Sequence, residues 1–121
     1  MENNSGLIPA KKDGVLVYIG DTEFFNKKVA GGFIGAPDAI TRAISEATEG
    51  VIISKGPEAF KEGFIREFEV GEKVSYKGYH GQIYPRKSGS YKIMGSEEPN
   101  KAYYRILKDS DIEALCINEN Q

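Results

Sequence analysis

Apolar residues fall along this chain in short blocks, most of them closed by glycine. Val15-Leu16-Val17-Tyr18-Ile19 has no polar alternation and ends at Gly20-Asp21, which reads as a strand covered on both faces. Gly50-Val51-Ile52-Ile53-Ser54, closed by Lys55-Gly56-Pro57, is a second strand of the same kind. After a turn at Gly71, Val74 and Tyr76 share a face. Gly78-Tyr79-His80-Gly81 makes a tight turn before Gln82-Ile83-Tyr84, and Tyr103-Tyr104-Arg105-Ile106-Leu107 is a further strand. Asp109-Ser110-Asp111 has the side chains for a capped turn leading into Ile112, Leu115 and Ile117. Short strands punctuated by glycine turns predict a mainly β fold, a small β-barrel, in a single domain over 1–121.

Two stretches break the rhythm. The segment at about 21–48 is too long for a hairpin loop, and loops of that length usually carry function or hide an element. In its second half Pro37, Ile40, Ala43, Ile44 and Ala47 have helical spacing, with Pro at a first position and Gly50 as stop. Its first half, Phe24 to Gly35, has no periodicity yet carries Phe24, Phe25, Val29, Phe33 and Ile34. Apolar residues in a glycine-flanked loop either pack back on the barrel or dock on a partner. The second misfit, at about 86–101, reads as an inserted hairpin excursion with Tyr91-Lys92-Ile93-Met94 at its centre.

Composition narrows the function classes. The 121 residues include 14 glycines, about 12% against the roughly 7% usual in globular domains. With 40% apolar residues, a real core is affordable on this length. No apolar run approaches the ~18 residues of a membrane span, and the first twenty residues lack a signal-peptide pattern. Sixteen basic and eighteen acidic residues leave −2, which disfavours nucleic acid as a partner. The lone Cys116 excludes an internal disulfide and suits a reducing, cytoplasmic setting. His80 is the only histidine, so histidine-pair metal sites and most triads are out, and it reads as a polar turn residue. Gly31-Gly32-Phe33-Ile34-Gly35 lacks the Lys-Ser/Thr of a phosphate loop. No catalytic group is expected, no metal and no enzyme activity.

Six segments, in order, resemble the chaperonin-10 (GroES-type) co-chaperonins. Ile8-Pro9 before Val15-Leu16-Val17 is similar to the family's opening, and Ala30-Gly31-Gly32-Phe33-Ile34 to its mobile-loop motif of paired glycines and an aliphatic tripeptide. Glu49 to Pro57 resembles the strand after that loop. Glu69-Val70-Gly71-Glu72-Lys73-Val74 resembles a Val-Gly-Asp-x-Val segment, and Tyr79 to Ile83 the glycine turn that follows. Tyr104 to Leu107 with Asp109 to Leu115 resembles the family's Ser-Asp-Ile-Leu ending. Gly35 stands where a third aliphatic residue is usual, and 86–101 has no counterpart in ordinary members. Rebuilt loops of this kind are similar to those of divergent bacteriophage-encoded members.

The resemblance implies a GroES-like β-barrel with a long mobile loop, a roof hairpin at about 57–69 and seven copies in a ring. That homoheptamer would cap an ATP-dependent GroEL-type chaperonin in the host cytoplasm and enclose an unfolded client. It would need no cofactor of its own, because the partner binds the ATP, and no membrane. Gly31, Gly32, Phe33, Ile34 and Gly35 would dock on the chaperonin. Phe60, Lys61, Glu62, Gly63 and Phe64 would form the roof. Leu7 and Ile8 at one end and Leu115 and Ile117 at the other would meet neighbouring subunits. Two other readings compete. Tyr76, Tyr79, Tyr84 and Tyr91 near Lys77, Arg86, Lys87 and Lys92 are the mixture of a single-stranded nucleic-acid site. An SH3-like module that contacts proteins without forming a ring is the other.

Overall fold

A computed structural model describes residues 2–30, 38–78, 80–84 and 101–117. The first apolar block forms β1 (Gly14–Asp21), and the second forms β2 (Glu49–Lys55). Between them lie α1 (Thr22–Ala30) and α2 (Asp38–Ser45). Then come β3 (Lys73–Tyr76), β4 (Gln82–Tyr84), β5 (Ala102–Lys108), a 3-10 turn at Asp109–Asp111 and β6 (Ile112–Leu115). All pairings are antiparallel, in the order β4-β5-β1-β2-β3-β6.

The central strand β1 pairs with β5 from Gly14↔Lys108 to Asp21↔Ala102, and with β2 from Val15↔Lys55 to Tyr18↔Val51. Val15, Leu16 and Val17 are fully buried, so this strand is covered on both faces, as its unbroken apolar run predicts. One face carries the core. Val15, Val17, Ile52, Val74, Tyr76, Tyr103 and Leu107 meet Phe25 of α1, Ile44 of α2 and the loop residues Ala59, Phe60 and Phe68.

The expected closed barrel is not this chain's fold. Closure requires a ladder between the two outermost strands, and among the described residues β4 pairs only with β5 while β6 pairs only with β3. The sheet is nonetheless strongly curled. Three residues carry the chain from β5 to β6, four places apart in the strand order. The 3-10 turn fills the gap between the ends. Its Asp111 carbonyl accepts the Lys77 N–H at 3.2 Å, and Asp111 Oδ1 lies 3.2 Å from His80 Nδ1. The Lys77–Asp111 bond continues the β3–β6 pairing, and the GroES-like barrel implied by the resemblance is corrected to an open sheet.

The expected roof hairpin is corrected as well. Residues 57–69 contain turns and bends and no paired strand. What orders them is a cluster of rings, Phe60–Phe64 at 5.0 Å, Phe60–Phe68 at 4.9 Å and Phe64–Phe68 at 6.0 Å between centroids. Residues 21–48 carry two helices: α2 matches the spacing of Ile40, Ala43 and Ile44, whereas α1 falls where no periodicity was seen.

Candidate docking surface

Strands β1 and β2 part beyond Tyr18↔Val51, and the segment between them leaves and returns at that same end of the sheet. Asp21 starts it, its Oδ1 accepting the Phe24 N–H at 2.8 Å as a helix N-cap. Thr22 ties the departing arm to β5, with its N–H bonded to the Lys101 carbonyl at 2.8 Å and its hydroxyl accepting the Lys101 N–H at 3.0 Å. Of the two adjacent phenylalanines, Phe25 is buried against Tyr103 and Phe24 is 48% exposed. Gly20 permits this. Its φ is +137°, and a Cβ there would stand 2.6 Å from Phe24 Cδ2. On the returning arm, the Thr48 carbonyl accepts the Tyr76 N–H at 2.9 Å.

A cleft of about 370 Å³ opens at this root. Tyr18, Phe24 and Val51 supply its apolar lining, and Glu49 and Lys73, paired at 3.2 Å, its charge. Burial pushes the Tyr18 phenol above its ordinary value, with the nearby Asp21 charge and Tyr104 adding to the effect. The cleft therefore offers aromatic and aliphatic surface with little net charge, which suits apolar side chains of a polypeptide better than phosphate.

The five residues expected to contact a chaperonin, Gly31, Gly32, Phe33, Ile34 and Gly35, lie outside the described residues, as does nearly all of the 86–101 insertion. The expected roof residues divide. Phe60 is buried, Phe64 half-buried, and Lys61, Glu62 and Gly63 exposed, with Ile65 beside them 84% exposed. At the expected subunit contacts, Ile8 is 74% and Ile117 79% exposed, while Leu7 is half-buried and Leu115 packs partly against the core.

The tyrosines regroup. Tyr76 lies in the core at 1% exposure, so it cannot stack on a base. Tyr79 and Tyr91 lie outside the described residues. Tyr84 is in register with Tyr104, and Tyr104 with Tyr18, its ring 5.7 Å away, so these three form a half-buried row across β4, β5 and β1.

Sequence reasoning missed Arg105, the one charged residue among the buried side chains described. Its guanidinium carbon lies 5.2 Å from the Tyr76 ring centroid, and burial pushes the Tyr76 phenol up against the opposing pull of that charge. The missed signal was the phase of the strand, since Tyr103, Arg105 and Leu107 point to one face. His80, placed in a turn as expected, contributes its carbonyl to Arg105 at 2.6 Å. Among the described residues, no group of three or more His, Cys, Asp or Glu is arranged to hold a metal ion, and no helix is long and apolar enough to cross a membrane. No protein-family model matches this chain, and no curated protein is similar to it in sequence.

Proposed function

We propose that this chain is a subunit of a ring-shaped lid that docks, through the segment between β1 and β2, on an ATP-dependent double-ring chaperonin. The observation that carries the reading is the placement of that segment. Both its arms leave the sheet at one end, and the Ala30-Gly31-Gly32-Phe33-Ile34 motif lies between them in sequence. The reading rests on this placement and on the ordered sequence segments; it does not require a barrel closed within one chain. Exposed Ile8 and Ile117, near the two chain ends, offer the apolar contacts that ring neighbours would cover.

The physics of such a lid follows from multiplicity. Docking an apolar tip costs ordering free energy, so each copy binds weakly and reversibly. A ring presents its copies together, and effective concentration turns weak contacts into a stable, releasable closure. Phe33 and Ile34 are the anchors of this reading. Ile34→Ser is expected to abolish ATP-dependent co-purification with a bacterial chaperonin ring while leaving the assembly intact by light scattering. Seven copies of the 13.3 kDa chain give about 93 kDa. A monomer, or undiminished capping by the variant, refutes the proposal.

Nucleic-acid binding has one feature in its favour, the Tyr84–Tyr104–Tyr18 row, and the net charge of −2 against it. Absence of oligonucleotide binding at low salt removes it.

A further inference from the structure

Arg105 occupies a core position of β5, between Tyr103 and Leu107, with 1% of its surface exposed. An aliphatic residue would fill such a position without the desolvation cost of a buried cation. The arginine instead donates from its two terminal nitrogens to main-chain carbonyls in two other parts of the molecule, while its buried Nε has no hydrogen-bond partner. One terminal nitrogen donates to His80 O at 2.6 Å, in the turn before β4. The other donates to Ser45 O at 3.1 Å and, at 3.4 Å, to Ile44 O. Ser45 is the last residue of α2, so these are carbonyls at the negative end of a helix, short of partners within the helix itself.

At 8 residues, α2 is far too short to persist on local hydrogen bonds alone. Ile44 is buried in the core, Ala43 packs against it, and α2 lies on α1, while the carbonyls at its C-terminal end are held by the Arg105 fork. The departing arm, by contrast, is held to the start of β5 through the main chain and side chain of Thr22. Strand β5 therefore grips both arms, and only on the returning side does one long side chain do it.

We propose that Arg105 is the positioning residue of the docking segment: it pins the C-terminal end of α2 to the sheet and so fixes where the returning arm rejoins it. Its consequence for docking rests on the lid reading, whereas its structural content is measured without any partner. In hydrogen exchange on the full chain, Arg105→Met is expected to speed exchange of the Glu46 and Ala47 amides at least tenfold. Those amides bond to the Arg42 and Ile44 carbonyls. The β1–β5 ladder should keep its protection within twofold. Arg105→Lys, which keeps the charge and loses the fork, should give a smaller loss at the same place. It also decides the matter if Arg105→Met does not fold. Unchanged protection at 42–47 in the variants overturns the proposal, and so does a loss in Arg105→Lys spread equally over β1, which marks a plain core residue. Capping is then measured separately. Failure of the unmodified chain to bind a chaperonin ring refutes the lid reading and leaves the exchange result to judge Arg105.

Discussion

Two stretches of chain leave the sheet, and they are held by opposite means. The segment between β1 and β2 has regular structure, two helices packed on each other, and is fastened near its two ends: Phe25 and Ile44 in the core, Thr22 on Lys101, Thr48 on Tyr76, and Arg105 on the end of α2. The segment between β2 and β3 has no helix or strand and is fastened throughout. Three phenylalanine rings pack together beneath it. Phe60 takes φ +65°, a conformation costly for a bulky residue, and its N–H is bonded to Asp109 Oδ2 at 3.0 Å. Charges complete the hold. Lys55 meets Glu67 at 2.7 Å and the Phe68 carbonyl at 2.7 Å, and Arg66 grips Glu72 through both terminal nitrogens at 3.0 and 2.6 Å. Regular secondary structure is thus no measure of how firmly a segment is fastened.

The largest test of that contrast is Phe60→Ala. It removes the buried centre of the ring cluster and leaves the left-handed backbone unrelieved, so a loss of about 3–5 kcal/mol is expected by chemical denaturation. A loss as small as that of a surface residue would show that the rings are not the fastening. Next is Asp109→Ala, which strands the Phe60 N–H without its acceptor, at about 1–3 kcal/mol. The smallest effect comes from acid. Hydrogen bonds from Lys55 and Lys61 hold the Glu67 carboxyl at about 2, and the Arg66 bond with the Glu69 N–H holds Glu72 at about 2, both from an ordinary 4.5. Depressed carboxylates stabilise the folded form fully above pH 4.5 and lose that contribution as pH falls towards 2. Because these groups are solvent-exposed, the gain is modest and salt-sensitive. The protection factors of the 57–72 segment, corrected for intrinsic exchange, should therefore fall between pH 5 and pH 3, and by more than those of the β1–β5 ladder. A flat ratio would remove the charges from the account.

Strand positions were legible because burial on one or both faces writes itself into a short run, as in Val15–Ile19 or Tyr103–Leu107. Closure was not legible, since it depends on whether β4 and β6, far apart in sequence, meet edge to edge. Helix α1 was not legible because adjacent Phe24 and Phe25 part company, Phe25 buried and Phe24 48% exposed. The hairpin at 57–69 was expected from the family resemblance, not from the pattern of the residues. Those residues pack on one another instead of pairing across strands. Of the candidate surface, the segment was visible in its length and glycines, whereas its fastening by Arg105 was hidden inside an otherwise apolar strand.

The strand order has a consequence for dosage. Among the described residues, β4 and β6 are the two outermost strands of one sheet, and pairing of copies through both would make each copy bivalent and directional. If such copies join edge to edge, a chain blocked on one side still occupies a neighbour and offers nothing to the next. A minority of copies carrying a bulky group at Ile117 would then act as terminators, and loss of assembly would outrun their share of the mixture.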